Sequence, residues 1–102
     1  MSDGFEWSER KRRRNPAEHG VDFAEAALIF AGTTLEAVDG RADYGEIRYR
    51  ALGPVGGAYL MVVYTWRGED RRLISAWRVN ERGRQRYEAI LAGRAAGDAA
   101  ER

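Results

Sequence analysis

The sequence predicts an α+β domain: a small antiparallel sheet of about four strands, with two N-terminal helices and one C-terminal helix. Three patterns point there. Phe23, Ala26, Ala27 and Phe30 recur at i, i+3, i+4 and i+7, the apolar face of a helix. Glu46 to Leu52 alternates, with Ile47, Tyr49 and Ala51 on one side and Glu46, Arg48 and Arg50 on the other. Tyr59 to Trp66 is a nearly continuous apolar run, as expected of a central strand.

The elements follow in order. Phe5-Glu6-Trp7 reads as a short strand or an anchored extended entry. Ser8 caps a helix carrying Arg10-Lys11-Arg12-Arg13-Arg14, and Pro16 ends or kinks it at Asn15. His19-Gly20 reads as a turn. Asp22, with Glu25, opens the helix of Phe23 and Phe30, and Gly32 closes it. Leu35 to Val38 is a short strand, followed by a turn at Asp39-Gly40. Gly53 to Gly57 reads as a loop, and Arg67-Gly68-Glu69-Asp70 as a hairpin connection. Arg71 to Trp77 is the last strand. Asn80 caps the last helix, which buries Tyr87, Ile90 and Leu91. Helices pack on one face and leave the other open. Residues 1–92 form a single domain, and residues 93–102 a flexible tail without apolar periodicity.

Composition sets bounds. The chain has 102 residues, 44% hydrophobic and 32% charged, which fits one folded domain with a modest core. The net charge is only +1, so any affinity for nucleic acid must come from where the arginines sit. There is no cysteine, which excludes disulfides and thiolate zinc sites. No apolar run approaches the ~18–20 residues that span a bilayer. The N-terminus has no basic region followed by an apolar stretch, so a cytoplasmic location is expected. The nucleotide-binding P-loop, the serine-hydrolase elbow and the zinc-protease motif are all missing.

The chemistry concentrates in Arg71 to Arg78. Two cations, a hydroxyl (Ser75), an indole (Trp77) and Arg78 lie along one strand and its exit. Arg48 and Arg50 share a face of another strand. Guanidinium groups are planar and always charged, and they hold phosphate oxygens in pairs. Arginines on strands also solubilise edges and pair with carboxylates such as Glu46, a strong competing reading. His19, the single histidine, is either a general acid or base or a structural residue at the start of the Asp22 helix. Trp77 either stacks a base or packs at the rim. The cations of residues 10–14 circle their helix, the pattern of a solvated surface, though they would add salt-dependent attraction to RNA or an acidic partner.

Beyond these patterns, the chain resembles the BrnT-type toxins of bacterial type II toxin–antitoxin systems. The resemblance begins with Phe5-Glu6-Trp7, Lys11, Asn15, His19-Gly20-Val21, Phe23 and Glu25-Ala26. It continues through Tyr44-Gly45-Glu46, Arg48, Gly53, Leu60, Val62-Val63-Tyr64-Thr65 and Arg67-Gly68. It ends with Arg72, Ile74-Ser75-Ala76, Arg78, Glu81-Arg82 and Tyr87-Glu88. That family is similar in fold to RelE-type toxins.

The resemblance implies a ribonuclease that cuts RNA without a metal or other cofactor and so halts translation. It also implies a cognate DNA-binding antitoxin that neutralises the toxin in a higher-order complex, with no direct DNA binding by the toxin and no membrane partner. The implied reaction is attack of an RNA 2′-hydroxyl on the adjacent phosphate. It needs a base, cations on the phosphate and an acid for the leaving oxygen.

Arg48, Arg72 and Arg78 are the expected phosphate-stabilising residues. Glu46 or His19 is the base, and Tyr87 orients substrate or donates a proton. Lys11, Arg50, Ser75 and Trp77 are the expected RNA contacts. Ser8, Glu18 and Trp77 stand where the family usually has Asp, Lys and Arg. They motivate an alternative reading, a non-catalytic RNA- or protein-binding module on the same fold.

Overall fold

The computed structural model describes residues 4–41, 43 and 45–100, with side chains described to residue 93. Tyr44 of the resemblance, and residues 101–102 of the expected tail, lie outside the described residues. The order is β1 (Phe5–Trp7), α1 (Glu9–His19), α2 (Phe23–Ala26), a 3₁₀ segment (Ala27–Ala31), β2 (Leu35–Val38), β3 (Tyr49–Val55), β4 (Ala58–Arg67), β5 (Asp70–Arg78) and α3 (Glu81–Ala100). The backbone of α3 is helical past Gly93, where the sequence reading begins a tail. Among the described residues no helix is long and apolar enough to cross a membrane.

The sheet has five strands rather than four, in the order β1-β5-β4-β3-β2. The extra strand is Phe5–Trp7, which pairs in parallel with Arg71–Leu73, while every other pairing is antiparallel. The apolar run forms β4, which lies at the centre as expected. The segment read as a loop, Gly53 to Gly57, instead extends β3 to Val55, and the turn is only Gly56-Gly57. Gly53 is needed there for space. A Cβ at that position would lie 3.2 Å from both Ile29 Cβ and Thr34 Cγ2. The alternation seen from Glu46 begins later, at Tyr49, so Glu46 and Arg48 belong to the loop leading into β3.

The core lies between one sheet face and the α2–3₁₀ segment. Phe23, Ala26 and Ile29 are buried against Leu60, Val62, Tyr64 and Leu73. The helix expected over Phe23–Phe30 is only one α-turn, which tightens into the 3₁₀ segment. Its capping by Asp22 is as expected, with Ala24 N–H donating to Asp22 Oδ1 at 3.1 Å.

Of the two expectations at Asn15, an end or a kink, the end does not occur: helix α1 runs through Pro16 to His19. The physical reason is Asn15 itself. Its buried carboxamide donates to the carbonyls of Val21 (2.6 Å) and Ala76 (2.8 Å) and accepts from Ala76 N–H (3.3 Å). These tertiary bonds override the local bias against helix before proline. They also close the edge of β5 just beyond the three residues paired with β1, where backbone groups would otherwise lack partners.

The helices do not share one face. While α2 covers the core face, α3 lies against the other face, where the Tyr87 and Tyr59 rings meet edge-on at 5.4 Å. Asn80 caps α3 as expected, accepting from Gly83 N–H at 3.0 Å. Tyr87 is buried, but Ile90 is 43% exposed beside a groove it shares with Leu52 and Met61.

Candidate functional site

The register of β5 decides which side chains meet. Val63 pairs with Ser75 and Tyr64 with Leu73, so Ile74 is an extra residue, a β-bulge. The bulge shifts the alternation by one. Before it, Arg71 and Leu73 face the core side and Arg72 the opposite side. After it, Ala76 and Arg78 face the core side, while Ser75 and Trp77 join Arg72. Trp77 therefore shares a face with Ser75 but not with Leu73, which is 1% exposed in the core.

Cross-strand pairing extends this second face. Arg50 lies opposite Val63, which lies opposite Ser75. Neighbouring strands are ~4.8 Å apart, so Arg50 and Ser75 start about 10 Å from each other. One row further, Thr65 lies opposite Arg72, which lies beside Glu6 on β1. Thr65 is buried, and its hydroxyl donates to the Ile47 carbonyl at 2.7 Å. This bond, with Asp39 N–H donating to the Arg48 carbonyl at 2.7 Å, pins the loop carrying Glu46 and Arg48 to the end of the sheet.

Each arginine on this face meets a carboxylate. Arg72 Nη1 donates to Glu6 Oε1 at 2.9 Å. Glu46 receives Arg48 Nε at 3.1 Å and lies 3.5 Å from Arg67 Nη2. Asp39, whose carboxylate is fully buried, is gripped by Arg41 at 2.7 Å and lies 4.0 Å from Arg50. Hydrogen bonding from Arg41 outweighs burial and holds the Asp39 carboxyl below its usual range. Arg50 Nε is buried without a hydrogen-bond partner among the described residues. The result is a band of guanidinium groups held in fixed positions by shorter acids.

The remaining expected residues divide. Lys11, His19 and Ser75 line one small cleft with Arg14, Asn15 and Glu18, where α1 meets β5. Trp77 is partly buried, with its ring centre 6.4 Å from that of His19 and 5.5 Å from the Arg41 guanidinium. Arg78 is exposed on the core side, across the sheet from Arg72. Tyr87 has a structural setting. It is 4% exposed, and its hydroxyl donates to the Thr33 carbonyl at 2.6 Å. Burial pushes its phenol pKa upward.

Glu6 and Arg67 belong to the band but were not singled out as site residues. The signal for Glu6 lies in its position on a strand parallel to β5, which no local pattern reveals.

The profile of a family described as the ribonuclease toxin BrnT of type II toxin–antitoxin systems matches residues 7–83. The chain belongs to the BrnT family. The match covers Arg48, Arg50, Arg67 and Arg72, running from Trp7 of β1 through β5 to the start of α3. No individual curated protein matches the chain. As a BrnT family member it is a ribonuclease toxin whose counterpart is a cognate antitoxin protein. The expected α+β fold holds, with the fifth strand and the divided helices as corrections.

Proposed function

We propose that this BrnT family member cleaves single-stranded RNA by 2′-hydroxyl attack on the adjacent phosphate, using the face that carries Arg48, Arg50, Arg67, Arg72 and Ser75. The observation that supports it most is the convergence of Arg50, Arg67 and Arg72 from three strands on one sheet face, with the loop of Glu46 and Arg48 pinned at its end. In the reaction the 2′-oxygen bonds to phosphorus and the bond to the 5′-oxygen breaks. A base takes the 2′-hydroxyl proton, and an acid protonates the leaving oxygen. Guanidinium groups stabilise the charge that builds on the phosphate oxygens, so the chemistry needs no metal.

The carboxylates now on the arginines do not oppose this reading. The Arg67–Glu46 and Arg72–Glu6 pairs are open enough to solvent for a phosphate to exchange for the carboxylate, whereas the buried Asp39 keeps its arginines. Glu46 and His19 are the two base candidates, one in the band and one in the cleft beside Ser75. Cleavage of cellular RNA then inhibits translation in the cytoplasm, and a DNA-binding antitoxin neutralises the toxin in a higher-order complex.

The test uses purified protein and a mixed-sequence RNA in the presence of a chelator. The expected products carry 2′,3′-cyclic phosphate and 5′-hydroxyl ends, and 2′-deoxy substitution at the cut site blocks cleavage. Glu46→Gln and His19→Gln, compared side by side, identify the base. RNA left intact, with no growth arrest on expression without antitoxin, would leave the binding-module alternative.

A further inference from the structure

We propose that the cleft around Trp66 is a nucleobase subsite, holding one base of the RNA strand at the end of the sheet, where Trp66 lies on the core side and Arg67, in the same cleft, on the side of the arginine band. This rests on the ribonuclease reading and names how its substrate is held.

The cleft, about 340 Å³, is lined by Glu46, Ile47, Tyr49, Thr65, Trp66 and Arg67. Trp66 is 42% exposed and Ile47 is 63% exposed. Among the described residues the exposed large hydrophobics are Leu28, Val38, Ile47, Trp66 and Ile90. Three of them gather at this end of the sheet, because Val38 pairs with Tyr49. Apolar surface concentrated in one place and rimmed by charge marks an interaction site, whereas scattered exposure does not.

The indole is also braced. The Arg71 guanidinium carbon lies 4.6 Å from the Trp66 ring centre, and Tyr64 meets the ring edge-on at 5.6 Å. Tyr64 is in turn stacked on Tyr49 at 5.5 Å. A ring already held in one orientation loses little freedom when a ligand stacks on it.

The occupant follows from what adjoins the cleft. Arg67 and Glu46 are part of its lining, and Arg48 holds Glu46 from the other side. A ligand with an anionic backbone and a flat apolar ring fits both halves at once. A nucleotide within a single strand has that shape, and its base is free to leave its neighbours and stack on an aromatic side chain. The Glu46 carboxylate has lone pairs left beyond its two arginine contacts. It therefore offers acceptors to base amino or imino groups.

The test measures binding rather than cleavage. A short 2′-O-methylated RNA strand, which lacks the attacking hydroxyl, is titrated against wild type, Trp66→Ala, Trp66→Phe and Arg72→Ala. Trp66→Ala should weaken binding roughly fivefold to a hundredfold, with Trp66→Phe losing less. A strand carrying an abasic position at the occupied nucleotide should bind wild type as poorly as the intact strand binds Trp66→Ala. The two changes together should add nothing further.

Unchanged binding by Trp66→Ala, with Arg72→Ala weakened, overturns the subsite while leaving the ribonuclease reading intact. If Trp66→Ala keeps RNA affinity but loses the antitoxin, the cleft is a protein interface and the inference is wrong. A wild type that neither binds nor cuts RNA removes the ribonuclease reading itself.

Discussion

The Asn15 carboxamide is hydrogen-bonded to both backbone polar groups of Ala76, 61 residues away, donating to the carbonyl and accepting from the N–H. It behaves as one more residue of β-ladder, supplied by a helix. Asn15→Ala leaves buried backbone groups of Ala76 and Val21 without partners. We expect a loss of about 2–4 kcal/mol, read from urea midpoints, at about 1–3 kcal/mol per stranded group before partial relaxation. Wild-type stability in the variant would show that water replaces the amide.

Tyr87 separates packing from chemistry. Its hydroxyl already serves the Thr33 carbonyl, and its ring packs on Tyr59. Tyr87→Phe should cost about 1 kcal/mol of stability, the usual net worth of one such bond. RNA cleavage by the folded variant should stay within about twofold of wild type. A loss of several hundredfold at full folding would return the hydroxyl to the reaction.

Arg72 and Arg78 make a paired test, because the bulge at Ile74 puts them on opposite sides of the sheet. Arg72→Ala should lower cleavage by about a hundredfold or more, in the range seen when one charge-stabilising donor is lost. If Arg72 contacts phosphate, its loss should also reduce the salt slope of binding by about one. Arg78→Ala should change neither by more than about threefold. Equal effects of both would put Arg78 in the phosphate site as well and remove the assignment to the face of Arg72.

Asp39 carries a pH signature. Arg41, first through its side-chain hydrogen bond, holds the folded carboxyl below its ordinary 3.8. The folded state therefore releases this proton more readily than the unfolded chain. Its contribution is fully present above the ordinary value. It is lost as pH falls through that value and then through the lower folded one. Asp22, lowered by Arg12, adds a slope of the same sign. Urea midpoints at about pH 6 and about pH 3 should fall less in Asp39→Asn than in wild type. An identical fall would place the acid sensitivity elsewhere.

Local pattern carried much of this molecule. Tyr59 to Trp66 reads directly as the central strand, and Ser8, Asp22 and Asn80 read directly as caps. Those signals are short-range, set by side-chain periodicity and by atoms a few residues apart. What escaped depends on distant partners. Pro16 continues its helix because Asn15 is tied to β5. Gly53 sits in a strand because Ile29 and Thr34 close over it. Replacing it with Ala should accordingly cost about 1–3 kcal/mol, the usual penalty for overpacking, measured by the same urea midpoints.

The site divides in the same way. Arginine-rich strands were visible, and Arg50 and Arg72 do share a face, while Arg48 lies in the loop before β3 and reaches the band through Glu46. Strict alternation cannot show that Ile74 is an extra residue, so the sorting of Ser75, Trp77 and Arg78 depended on the register. Glu6 was invisible as a site residue because nothing near it in sequence foretells Arg72.

The parallel pairing of β1 with β5 has a consequence in time. Glu6 and Arg72 are 66 residues apart, and Asn15 and Ala76 are 61 apart. During synthesis the first strand has no partner until residues 71–73 have been made. Pairings this distant must close a long loop before they return any stabilisation, so they belong to the late, slow part of folding. The arginine band is completed only at that step. A ribosome making this protein has therefore added 66 residues beyond Glu6 before the Glu6–Arg72 end of the arginine band can exist.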